Sequence, residues 1–211
     1  MSPIIGITSD CFEGRFRVSK NYAKCITIAG GIPVILPPIL ELQESLIDLC
    51  DGFVFTGGDD RVMEQWGIET DPSATPCDKD RQQFETSMLE KLSNLPHKPV
   101  FGICLGMQWM GLLAGGTLIQ DLEPKFAAHH KSGSHLITGA LGEGAVHTSH
   151  HQAMKKTGSL TISAIAEDGI IEAVYDPNRK WYVGVQWHPE RTEDEKLGQG
   201  LFNQFCEAAK S

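Results

Sequence analysis

With 211 residues, 41% of them hydrophobic, the chain can bury one substantial core and is short for two, so a single domain over residues 1–211 is expected. A formal net charge of −9 without any Lys/Arg run argues against nucleic acid or an anionic membrane as partner and points to a small molecule. No apolar run approaches the roughly 18 residues that span a bilayer, no basic leader precedes Met1-Ser-Pro-Ile-Ile-Gly6, and six cysteines lack C-x-x-C spacing, so we expect a cytoplasmic protein with reduced thiols.

In chain order, short apolar runs alternate with helical patterns, the signature of an α/β fold with a mostly parallel sheet covered on both faces. Strands are predicted at Ile4–Thr8, Pro33–Leu36, Phe53–Thr56 and Val100–Ile103, each continuous rather than alternating, as burial on both faces requires. Helices are predicted over Ser19–Ala29, Leu42–Cys50 and Lys79–Leu95, with another after Cys104; Cys25, Cys50 and Cys206 read as core. Beyond Gly115-Gly116 short strands follow at Thr117–Gln120, His135–Thr138, Thr161–Ile165, Ile170–Tyr175 and Trp181–Gln186, an antiparallel addition. A last helix is predicted over Asp194–Ala209. Two long loops, Gly57–Asp78 and Leu122–Gly133, are expected to border a site.

The segment Val100-Phe-Gly-Ile-Cys104-Leu-Gly-Met-Gln108 runs an apolar strand into a cysteine flanked by Gly102 and Gly106, with a helix following. A sharp strand-to-helix turn needs small neighbours two positions either side of its central residue. It also sets the sulfur over a helix N-terminus, which favours thiolate, and frees the Leu105 amide to meet a developing oxyanion. A thiolate nucleophile needs an imidazole, and the imidazole needs an orienting group. Val185-Gln-Trp-His188-Pro-Glu190 supplies both, since positions two apart in extended chain face the same way. A second oxyanion donor is expected where Phe53-Val-Phe-Thr ends in Gly57-Gly58, either glycine letting backbone approach a ligand. Arg81 and Glu85, four apart on a predicted helix, are either a surface pair or a device that orients the loop after Gly58.

Together, Thr56-Gly-Gly-Asp59, Gly102-Ile-Cys-Leu-Gly-Met-Gln108, Ser149-His-His-Gln152 and Gln186-Trp-His-Pro-Glu190 resemble the class I glutamine amidotransferases, most closely their γ-glutamyl hydrolase branch, over nearly the whole chain. The resemblance implies a flavodoxin-like sheet with a small antiparallel extension, Cys104 as nucleophile, His188 as base and then acid, and Glu190 as orienter. It implies oxyanion donors at Gly58 and Leu105, and substrate contacts from Gly57, Gln108, Ser149 and His150. It implies no cofactor, a small γ-glutamyl amide as substrate, and allows a homodimer. The alternative is a glutaminase subunit that passes ammonia to a separate synthase partner. Two departures bear on the leaving amine: no proline follows Gly57-Gly-Asp-Asp60 until Pro72, and Leu105 replaces the arginine common in the hydrolases. Six histidines fall within residues 129–151. A zinc site would need three or four convergent ligands and a surrounding shell, and because the family resembled has histidines here without a metal, none is expected.

Overall fold

A computed structural model describes residues 1–210. Five strands carry the parallel part of a nine-stranded sheet: β1 (Ile4–Thr8), β4 (Ile32–Leu36), β5 (Gly52–Phe55), β6 (Val100–Ile103) and β13 (Tyr182–Val185). Their spatial order β4-β1-β5-β6-β13 is the flavodoxin-like order, in which the second strand of the set lies outside the first. The antiparallel extension continues from β13 through β12 (Ile171–Tyr175), β11 (Thr161–Ala166) and β8 (Gly133–Gly139) to β9 (Gly142–Thr148).

Alternate side chains of the central strands enter two cores. On one face Ile5, Ile7, Val54, Phe101 and Ile103 pack with Phe202 and Phe205, beneath α1 (Lys20–Ile28) and α6 (Gln199–Ala209). On the other, Phe53, Phe55 and Val100 pack with Phe84, Met88, Leu92 and Trp109 from α3 (Lys79–Ser93) and α4 (Leu105–Leu113), and with Ile47 of α2 (Gln43–Leu49). Burial on both faces is why the central strands read as unbroken apolar runs. Ser19 caps α1 by accepting from the Asn21 amide, and Asp78 caps α3 by accepting from the Asp80 and Arg81 amides.

Several expectations are corrected. Strand β4 is an edge and leaves Ile32 and Ile35 exposed, so it is not covered on both faces. Cys25 is only half-buried, whereas Cys50 and Cys206 are fully enclosed. The last helix begins at Gln199 rather than Asp194: the Asp194 carboxylate accepts from the Leu197 amide at 2.9 Å and closes a turn first. The segment expected as a loop over 122–133 contains α5 (Pro124–His130). Three further pieces stand outside the expectations: the hairpin β2 (Asp10–Phe12) with β3 (Arg15–Arg17), strand β9, and β10 (Ala153–Lys156), which pairs with β7 (Thr117–Ile119) in a separate two-stranded sheet. No helix among the described residues is long and apolar enough to cross a membrane.

Candidate active site

In an open parallel sheet, ligands settle beyond the carboxyl ends of the strands, beside the point where strand order reverses. Here that edge carries Thr56-Gly57-Gly58 after β5, Cys104 after β6 and His188 after β13. Cys104 adopts φ 52°, ψ −104°, and stands at the N-terminus of α4. The flanking glycines are required by space. A Cβ on Gly106 would collide with the Phe55 carbonyl, and one on Gly102 would lie 2.8 Å from the Gly106 carbonyl carbon and the Met107 nitrogen. Cys104, only 6% exposed, opens onto a cleft of two lobes.

His188 Nδ1 meets Glu190 Oε1 at 2.9 Å, so Nε2 is left for the sulfur. A Cβ built on Gly57 would touch both His188 Cε1, at 3.0 Å, and the Cys104 Cβ, at 3.4 Å, which sets the imidazole and the thiol side by side. Burial by itself would pull the His188 pKa down, but hydrogen bonds to Cys104 and Glu190, with the charges behind them, overturn that and push it up to about 10. Because the folded value lies above the ordinary 6.5, His188 stabilises the fold fully below about pH 6.5 and loses that contribution as pH rises through about 10. In Glu190→Gln one of those hydrogen bonds weakens. Melting temperatures followed from neutral to alkaline pH are therefore expected to start falling earlier in this variant than in wild type.

Gly58 lines the cleft with Cys104 and Leu105 is the first residue of α4 directly after it, and neither amide donates to a protein acceptor among the described residues. Gly57 is committed otherwise. Its amide donates to the Tyr22 hydroxyl at 3.2 Å and its carbonyl accepts from Arg81 at 3.1 Å. Arg81 and Glu85 are both fully buried, with Nε to Oε1 at 3.0 Å, and Arg81 Nη2 also donates to the Thr56 carbonyl at 2.9 Å. Of the two readings left open, the geometry selects loop orientation rather than a surface pair.

Gln108 is buried and held on every side. Its Oε1 accepts from Arg61, and its Nε2 donates to the Gln152 carbonyl at 3.2 Å and to Gln186 Oε1 at 3.0 Å. Gln186 Nε2 in turn donates to Cys104 Sγ at 3.5 Å. Two carboxamides thus line up head to tail between a buried guanidinium and the sulfur, each polarising the next. Gln186 escaped the sequence reading although a signal existed: it lies two residues before His188 and so on the same side of the strand. Arg61 offered no local signal. Ser149 is exposed and faces both lobes, whereas His150 is buried, its amide donating to the His130 carbonyl at 2.8 Å. The long loop after Gly58 is pinned by His151, which bridges Asp60 at 3.0 Å and Asp121 at 2.9 Å.

The first lobe, about 400 Å³, has Arg17, Arg191 and Asp10 on its walls with Gly58 and His188. The second, about 270 Å³, has Asp59, Gln108, Ser149 and His150. A thiol beside an imidazole that is itself held by a carboxylate is equipped for acyl transfer.

The chain belongs to the peptidase C26 family, whose profile matches residues 3–190. It is 30% identical to the γ-glutamyl-γ-aminobutyrate hydrolase PuuD of Escherichia coli K12, over 99% of this chain and 94% of that one. It is 33% identical to a protein of Mycobacterium tuberculosis provisionally named a glutamine amidotransferase, over 98% of this chain and 75% of that one. Among solved structures, a Thermoplasma acidophilum protein provisionally named as part of a GMP synthase superposes with a TM-score of 0.71 over 99% of this chain and 96% of that one, at 17% identity. These relatives support a hydrolase of the glutamine amidotransferase-like type.

Proposed function

We propose that this protein is a cysteine-dependent amidohydrolase that cleaves the γ-glutamyl amide bond of a small γ-glutamyl compound. The observation that carries the reading is the meeting, at the carboxyl edge of the sheet, of Cys104 on its elbow with His188 held by Glu190. Cys104 sulfur adds to the γ-carbonyl, and the oxygen takes the electron pair within reach of the Gly58 and Leu105 amides. His188 Nε2 protonates the departing amine as the tetrahedral adduct collapses to a thioester. Water then attacks that thioester, giving up its proton to His188, and glutamate leaves with the thiolate restored. Gln186 supports the sulfur throughout by donating to it.

The glutamyl moiety is assigned to the lobe of Ser149, His150 and Asp59, where a carboxylate stands ready for its ammonium group. Gln108 stands at the floor of that lobe. The leaving amine is then assigned to the lobe of Arg17 and Arg191. Arg17 is paired with Asp10 at 3.0 Å and Arg191 Nε lies 3.3 Å from Glu190, and the donors these pairs leave free on the two guanidiniums favour an amine that carries its own carboxylate over a polyamine. Glutamate release from a panel of γ-glutamyl amines and free glutamine tests all of this. Partner-free turnover is expected, fastest for an ω-amino-acid amide. Silence across the panel would instead favour the glutaminase that feeds a separate synthase, a reading with which Leu105 after the cysteine is also compatible.

The carboxamide relay gives a separate expectation. A hydrogen bond to a charged group contributes about 1.5–3 kcal/mol, so Gln186→Met should slow alkylation of Cys104 by iodoacetamide roughly tenfold or more at neutral pH. An unchanged rate would remove Gln186 from the mechanism.

A further inference from the structure

Away from the sulfur, at the antiparallel side of the sheet, Glu172 on β12 is fully buried with no Lys or Arg against it among the described residues. Three imidazole nitrogens converge on its Oε1: His130 Nδ1 at 3.3 Å, His135 Nε2 at 3.4 Å and His150 Nε2 at 3.5 Å. None of the three meets hydrogen-bond geometry to the carboxylate, and both of its oxygens are left without a donor. His130 Nδ1 and His150 Nε2 lie 3.2 Å apart. Zinc with ligands at about 2.0–2.1 Å in a tetrahedron separates neighbouring donor atoms by about 3.3–3.4 Å. Four of the six edges of such a tetrahedron are therefore present: the His130, His135 and Glu172 donor atoms all lie within 4.8 Å of one another, and His150 Nε2 joins them through Glu172 and His130, while its ring centroid stands 6.5 Å from that of His135, so binding would draw His135 and His150 together.

The far side of each ring is tied down. His130 Nε2 meets Asp168 Oδ2 at 3.0 Å, His150 Nδ1 meets the Gln152 carbonyl at 2.9 Å, and His135 Nδ1 faces the His129 carbonyl at 3.4 Å. An acceptor on the far nitrogen keeps the proton there and turns the near nitrogen's lone pair inward, as around bound metals. Imidazole nitrogens and a buried carboxylate facing a common centre call for positive charge between them, supplied either by a proton shared between His130 and His150 or by a metal ion.

We propose that His130, His135, His150 and Glu172 form a closed four-ligand site for a divalent transition ion, with zinc best suited to three imidazoles and one carboxylate. Sequence reading expected no metal in this stretch; the fold supplies the convergent ligands and the surrounding shell that such a site needs. With four protein ligands the ion is structural. It fastens the segment 149–152, which walls the second lobe, to α5, β8 and β12. The proposal does not rest on the hydrolase reading, and a Cys104→Ala chain should bind the ion equally.

The test is zinc content per chain by plasma mass spectrometry, followed by stripping with dipicolinate and titration of the apoprotein with Zn²⁺ and Co²⁺. We expect about one ion per chain, a lowered melting temperature on stripping that Zn²⁺ restores, and the visible absorption of tetrahedral Co²⁺. Glu172→Gln should abolish binding, and Asp168→Asn, which changes a partly exposed outer partner, should weaken it about 10–100-fold. The proposal fails if the wild-type apoprotein gives neither the Co²⁺ spectrum nor a Zn²⁺-dependent rise in melting temperature. It fails equally if Glu172→Gln, folded, binds as wild type does. A cluster that merely shares protons would shift its melting with pH and ignore Zn²⁺, which also overturns it.

Discussion

Replacing Cys104 by alanine is expected to lower glutamate release from every γ-glutamyl amide by on the order of a millionfold, the scale seen when one member of a nucleophile–base unit is removed. His188→Ala should do nearly as much, and the double variant little more, because either loss disables the same step. The folded state should survive in both single variants, since Cys104, though it packs against one core, lies at a turn and loses only its sulfur, and His188 lies three residues beyond the end of β13. Stopped-flow glutamate detection and thermal melting on the same samples separate the two effects. Turnover within tenfold of wild type in Cys104→Ala would place the chemistry on another residue.

The second large effect belongs to Arg81. Breaking a fully buried ion pair by removing one partner leaves the other charged and unpaired, which costs about 3–5 kcal/mol. Arg81→Ala should lose that much in urea unfolding, since Glu85 would remain at zero exposure without its cation. Lysine is not a remedy, because one ammonium cannot make the fork of contacts to Glu85, the Thr56 carbonyl and the Gly57 carbonyl. The apolar pair Arg81→Met with Glu85→Leu removes both charges together, so most of the stability should return. Activity should not return with it, because the Thr56 and Gly57 carbonyls lose their donor, and the Tyr22 and Thr8 contacts that remain hold only the Gly57 amide and the amide and hydroxyl of Thr56, leaving Gly58 less firmly placed. A double variant that recovers both would mean that Arg81 serves stability alone.

What could be read from the chain was whatever a short window contains. Phe53–Phe55 and Val100–Ile103 announce themselves as doubly buried strands, and the glycines at 102 and 106 fix a sharp turn at Cys104 before any fold is known. His188 and Glu190 are two apart in one strand exit, and 2.9 Å apart in space. Strand β9 stayed hidden because Gly142-Glu-Gly-Ala-Val-His-Thr148 has two glycines and little β-branching, and forms only by pairing along the whole of β8. Helix α5 is seven residues long, begins at a proline and has no side-chain cap, so tertiary packing rather than local preference creates it. The relay from Arg61 to the sulfur joins residues 47, 78 and 82 positions apart, and no spacing rule reaches that far. The three histidines around Glu172 come from a helix end, a strand and a loop, so their number was legible but their convergence was not.

The backbone of Cys104, at φ 52° and ψ −104°, sits where glycine is at ease and other residues are not. Holding a side chain there costs on the order of 1–3 kcal/mol, and only turnover rewards it. Selection for stability and selection for activity therefore pull in opposite directions at this one position. A lineage released from the need for catalysis would drift to glycine at 104 and gain thermal resistance by doing so, whereas an active lineage must recover the deficit by improving its two cores.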